Sequence, residues 1–386
     1  MSAQPFQPPD AFGVSPDGGT ELSYGSLIDV ATARWFGMLA NDAEMGTIDL
    51  EEYSGVQGQP NAPEMILQAA ETWTRAADQS TRSNFHSGIE WEIRRNLSVD
   101  QQGPGKSTLD VGMWKSPQIL TLREKEQHPF EIFVNRISHW MDLFDPFRHF
   151  CTLVPRLAMY NEGLLNAILA FSVRYLSLNP EYGHEDHHER HDALRYYHES
   201  LHYVQNAMQY NSYLTSLELL ATAIIISGYE MLDGSRRDWE RHLQGVFGIQ
   251  RSQVIHGDTG GLRGAVWWTW LQQDIWAAFR DKRKTFTFWR PVRTFDMLNP
   301  WEIAARSIFV MAKVVNYCSG IENSGEDNNI QSRIDAADRL TSMLDDWERH
   351  LTIEFAPLPL THSDDAAVFK LCWIQPPIFG MVQMFE

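Results

Sequence analysis

His184, Glu185 and His188 stand in the order H-E-x-x-H, a spacing that on a helix sets two imidazoles one turn apart to grip zinc while the glutamate activates a water. His187 and His191 add imidazoles, and a helix begun near Glu181 would put His184, His188 and His191 on one face. The surroundings argue against that chemistry. The cluster follows Asn179-Pro180-Glu181-Tyr182-Gly183, a loop signature, and its other residues are charged, with no apolar stripe to seat a helix under a cleft. A solvated loop entering a helix is expected, with no cofactor and no metal. Gly103-Pro104-Gly105-Lys106-Ser107-Thr108 ends like a phosphate-binding loop, but the pattern calls for Gly where Asp100 stands and no strand leads in, so a turn is expected. The basic run Arg280, Lys282, Arg283, Lys284 reads first as the solvated end of a helix, whose cations favour the dipole, and second as an import signal. No Gly-x-Ser-x-Gly elbow and no dinucleotide fingerprint occur.

A subtler set is Glu230, His242 and Asp274. Each lies on or beside an apolar helical face: Glu230 closes a greasy run, His242 follows Trp239 by three residues, and Asp274 follows Trp270 by four. A buried acid or imidazole without a partner costs on the order of 1 to 3 kcal/mol or more. The three are therefore expected to form a buried polar network that fixes helix register; the alternative is a polar handle in an aromatic-lined pocket that takes a small effector. No catalytic role is assigned to them.

The elements that must carry these residues are helices. From Pro117 onward apolar residues recur every three or four positions, predicting helices over about 119–140, 155–160, 164–178, 191–209, 215–226, 237–254, 262–279, 301–318, 331–351 and from 365 onward. Thr215 and Glu218 have capping-box spacing ahead of Leu219 to Ile226, which is apolar all round and belongs in the middle of the fold. Lys284 to Arg290 alternates Thr with aromatics and is the one piece with an extended look. Ahead of this, residues 1–25 are rich in Pro, Gly and Ser and read as a flexible tail; 26–116 reads as a helical or irregular segment, with helices near 26–43 and 63–78. No fixed-period repeat appears. The fold class expected is all-α, a large single helical domain built as an irregular stack of antiparallel helix pairs.

Composition narrows the function. With 386 residues, 43% of them hydrophobic and 14 of them Trp, the chain can bury a large core. Its formal charge of −18 opposes direct binding to nucleic acid or anionic lipid. Cys151, Cys318 and Cys372 are few and far apart, which suits a reducing compartment and builds neither a disulfide framework nor a thiolate zinc site. The first ten residues lack a secretory pattern, and the longest greasy stretch, Leu217 to Ile226, is too short to span a bilayer. An intracellular, soluble protein with no membrane partner is expected.

A family resemblance sharpens this. Asp29-Val30 with Ala33-Arg34-Trp35; Ile137-Ser138 with Trp140 and Leu143-Phe144-Asp145; Val154-Pro155; Leu164-Leu165 with Ala167-Ile168; Tyr196-Tyr197; and Tyr229-Glu230, Trp239, His242, Gly245 and Asp274 follow one another in an order that resembles the regulatory domain of fungal-specific transcription factors. In that family the domain usually follows a binuclear zinc cluster that binds DNA. No set of six closely spaced cysteines precedes Ser26 here, so zinc is expected only in a cluster outside this sequence, and Trp373, Pro376-Pro377 and Met384-Phe385 look like the start of a final family helix cut off at Glu386. On that footing residues 117–386 are the regulatory domain. The resemblance implies a non-catalytic regulatory and protein-interaction domain of a fungal transcription regulator, nuclear, lacking its own DNA-binding module. Its implied partners are other transcription proteins or a separate DNA-binding module, and a small-molecule effector. The alternative is a stand-alone small-molecule-binding protein or enzyme of fungal metabolism derived from that domain, in which case the cytoplasm is open to it.

Overall fold

The computed structural model describes residues 112–182, 190–234, 236–322, 330–358 and 373–383. The expectations for 1–111, including the tail, the two early helices and the phosphate-loop-like turn, lie outside the described residues, as do His184, Glu185, His187 and His188. Every regular element among the described residues is helical. The all-α expectation holds, and Lys284 to Arg290 forms no strand.

Helix α1 (Glu124–Ile132) continues through a π turn (Phe133–Ile137) into α2 (Ser138–Met141). The sequence pattern places its start near Ile119, five residues early. Leu120 and Leu122 pack on the core from an extended segment whose Leu120 N–H bonds Met159 O at 2.8 Å, so their apolar spacing is satisfied without a helix. Pro129 sits inside α1 and can donate no backbone bond, and the turn that follows is the one that widens to π geometry. After the short helices α3 (His149–Thr152) and α4 (Val154–Ala158), the latter with Pro155 in its first turn, the long helices begin. α5 (Glu162–Leu178) is capped by Asn161, whose Oδ1 accepts Leu164 N–H at 2.7 Å. It packs along α6 (Arg190–Ala207).

A short α7 (Asn211–Leu214) leads to α8 (Leu217–Asp233), the central rod of the molecule. All of its residues from Glu218 to Leu232 are buried, as a helix apolar on every side requires. Ser216, not Thr215, is its cap: Ser216 Oγ accepts Leu219 N–H at 3.1 Å, and Glu218 pairs with Lys115 at 3.1 Å. Gly234 ends it with φ 82°, in the region that glycine alone adopts freely. Where α8 crosses α5, a Cβ on Gly228 would stand 2.8 Å from Phe171 Cε1, so the two helices approach as closely as they do because residue 228 has no side chain.

Helices α9 (Arg236–Ser252) and α10 (Gly261–Arg280) complete the layer around α8. Trp267 and Trp270 of α10 are fully buried, and Trp267, Trp268 and Trp289 meet edge to face with centroids 4.7 to 5.9 Å apart. Such contacts add roughly 0.5–1.5 kcal/mol each beyond the area they bury. The chain then enters a long irregular passage and returns as α11 (Pro300–Glu322) against α10 and α12 (Ile330–Arg349) against α11. Trp347 anchors α12, its Nε1–H donating to Ile303 O at 2.8 Å. The last described helix, α13 (Pro377–Gln383), packs on α11 through Phe379 and Trp301.

Candidate functional site

Three helices meet at Glu230, and a fourth is tied in one turn away. Glu230 lies in the last turn of α8, 2% exposed; Tyr197 Oη of α6 donates to its Oε1 at 2.7 Å, and His242 Nδ1 of α9, fully buried, meets the same oxygen. One turn back on α8, Ser227 Oγ donates to Gln273 Oε1 of α10 at 2.7 Å. The Tyr197 and Tyr229 rings stack at 4.8 Å. Burial, followed by the charge of Asp233, pushes the Tyr229 hydroxyl far above its ordinary range, so it stays protonated. Glu230 Oε2 meets no hydrogen-bond partner among the described residues.

Asp274, the third residue of the set, is buried on α10, next to Gln273. Its Oδ1 pairs with Arg283 at 2.9 Å and its Oδ2 accepts Phe286 N–H at 2.7 Å, which ties the irregular passage after α10 back onto that helix. The structure thus brings Glu230 and His242 into direct contact and gives Asp274 partners of its own. The basic run is partly absorbed in the same way: besides Arg283 on Asp274, the Arg280 guanidinium covers the Trp239 ring at 4.8 Å. A carboxylate, a phenol and an imidazole joined on one oxygen are groups that can exchange protons. Here they lie between packed helices, and neither of two open clefts, of about 670 Å³ and about 480 Å³, is lined by any of them.

Two further polar centres carry no signal in the sequence. At the corner between α2 and α3, Asp142 accepts Phe150 N–H and Cys151 N–H, both at 2.8 Å, and Asp145 accepts His149 N–H at 2.7 Å with His149 Nδ1 2.6 Å away. Burial, and then the neighbouring Asp145, raise the Asp142 carboxyl well above its ordinary value; burial likewise raises the Cys151 thiol, which leaves it a poor nucleophile. Near α11, Arg293 Nε and Arg306 Nη2 reach one oxygen of Asp258 at 3.3 and 3.0 Å, and Arg293 Nη2 pairs with Glu302 at 2.6 Å. These residues are separated by up to 48 positions, so only the folded chain assembles them. No cluster of three or more His, Cys, Asp or Glu suited to a metal occurs among the described residues, and no helix among them is long and apolar enough to cross a membrane.

The order of these helices, with Tyr229-Glu230, Trp239 and His242 at their centre, has a counterpart among known families. Residues 128–260 match the fungal specific transcription factor domain. The matched stretch runs from within α1 to just before α10, about a third of the chain, and contains Tyr197, Glu230 and His242 but not Asp274. It is narrower than the span from Asp29 to Phe385 over which single residues resemble the family. Comparison with curated proteins and with solved structures gave no match. The match over residues 128–260 supports a regulatory role in transcription.

Proposed function

We propose that the helical body is the regulatory and protein-interaction domain of a fungal transcription regulator, that it performs no catalysis, and that DNA recognition comes from a separate module. The observation that carries this reading is the match to the transcription factor domain over residues 128–260, in whose interior Glu230 and His242 meet, both buried. On this reading the Glu230, His242, Tyr197 bridge and the Asp274, Arg283 pair hold α6, α8, α9, α10 and the passage after α10 in register. The charge of −18 supports a domain that meets proteins or small molecules and leaves phosphate backbones to a partner.

Fusion to a heterologous DNA-binding domain tests the reading. The fused chain is expected to change transcription of a reporter that carries the cognate site, and to leave a reporter without that site unchanged. The chain alone is expected to give no sequence-specific shift of DNA fragments. A fusion that is folded and nuclear yet silent at every reporter, or turnover of a metabolite that disappears in Glu230→Gln, would move the function to a stand-alone enzyme.

A further inference from the structure

The cleft of about 480 Å³ between the 291–296 segment, α11 and α12 has the size of a small-molecule pocket. Its walls include Phe295, Phe309, Val310 and Met343, and its deepest charged lining residue is Arg306, 4% exposed. Arg306 is incompletely satisfied. Its Nη2 holds Asp258, but its Nη1 meets no acceptor among the described residues, and the same is true of Nε1 of Trp289, whose ring lies 4.9 Å from the guanidinium. A buried donor without an acceptor is expensive to keep, and the more so when it is charged, as Arg306 is.

We propose that this cleft binds a small aromatic monocarboxylic acid as its anion, the ring against Phe309, Val310 and Met343 and the carboxylate toward Arg306. A guanidinium edge is the protein group best shaped to take a carboxylate, and burial already works against the Arg306 cation, a cost that an anion offsets. Asp296 and Asp346 line the cleft beside His350, and Arg293 lines it with Arg306, so the walls are of mixed charge with apolar surface between, which suits a singly charged head on an apolar body better than a dianion such as inorganic phosphate. The site lies outside residues 128–260 and does not depend on a role in transcription.

Phenylacetate is the probe, titrated into the full chain by calorimetry and by ligand-observed NMR, with phenylacetamide as its neutral isostere. Saturable binding of phenylacetate is expected, weaker by at least about tenfold for the amide because the charge-assisted bond is lost. Arg306→Gln should weaken it similarly. Since Arg306 also holds Asp258, a second variant, Met343→Trp, fills the cleft and leaves the polar network intact; it should abolish binding while its circular dichroism melt stays cooperative. No saturable binding of phenylacetate, equal binding of the amide, or binding that survives in folded Met343→Trp overturns the proposal.

Discussion

Glu230 and Asp258 are the same device in two settings. Each offers one carboxylate oxygen to two donors from other elements: Tyr197 and His242 for Glu230, Arg293 and Arg306 for Asp258. Around Glu230 the helices close completely, and none of the three side chains is more than 7% exposed. Around Asp258 one donor, Arg293, is a third exposed, and both arginines, though not Asp258 itself, are among the residues that line an open cleft. A sealed shared oxygen can only fix geometry, because nothing can enter to compete for it. At an open one a ligand can join the network, so the group can sense as well as hold.

Removing the sealed acceptor is the harshest way to break that contrast. Glu230→Ala leaves the Tyr197 hydroxyl and the His242 imidazole without their shared acceptor in the interior, and is expected to cost ~3–5 kcal/mol, the loss seen when one partner of a buried pair is deleted. Glu230→Gln keeps an acceptor oxygen and should cost less than half as much. Urea midpoints of both variants read the difference. A Glu230→Ala protein within about 1 kcal/mol of the parent would mean that the interior opens to water and is not sealed.

How much of this was legible in the sequence follows from how far apart the partners lie. Leu219 to Ile226 announces a central helix because its apolar character is local, and the polar residue that closes it, Glu230, is conspicuous for the same reason. Its buried state was foreseeable; Tyr197, 33 positions away, was not, since a tyrosine on an amphipathic stripe looks like ordinary core until the fold delivers its hydroxyl. The Thr215 and Glu218 spacing misleads because Ser216 is an equally good cap one residue later, and Lys115, about a hundred positions away, takes the glutamate. Arg306 on its own resembles any arginine at the edge of a helix. Nothing local to it reveals Asp258, which lies 48 positions earlier.

At the open oxygen the expected loss is smaller. Asp258→Asn keeps one oxygen as acceptor but leaves two guanidiniums without their common negative partner, at about 1–3 kcal/mol, reduced by solvent screening of the exposed Arg293. The same urea midpoints measure it. A cost equal to that of Glu230→Ala would erase the distinction between the two sites.

Asp142 gives a third way to probe enclosure, through pH. Its carboxyl is fully buried, and its folded pKa is raised above the ordinary 3.8, first by burial and then by Asp145. The folded protein therefore binds this proton up to a higher pH than the unfolded chain does. In the window from 3.8 up to the raised value the native state holds more protons, so the contribution of Asp142 to stability falls as pH rises. Asp142→Asn cannot titrate, and the stability of the parent relative to this variant should decline from about pH 4 upward. Urea midpoints of both proteins between pH 4 and 7 check the sign. Parallel curves would place Asp142 in contact with solvent.

Arg195 marks the far end of the scale. It pairs with Glu199 at 3.2 Å across one turn of α6 and covers the Tyr196 ring at 4.4 Å, with the two charged side chains 34% and 46% exposed. Water and salt screen such a pair, and holding two long side chains in one geometry offsets part of the attraction, so Arg195→Ala should cost no more than about 0.5 kcal/mol. That small loss should shrink further in 0.5 M salt, as the loss at Glu230 should not, because ions reach only the exposed pair. If Arg195→Ala instead costs as much as Asp258→Asn and ignores salt, exposure does not rank the polar contacts of this protein, and the difference between Glu230 and Asp258 must come from hydrogen-bond geometry alone.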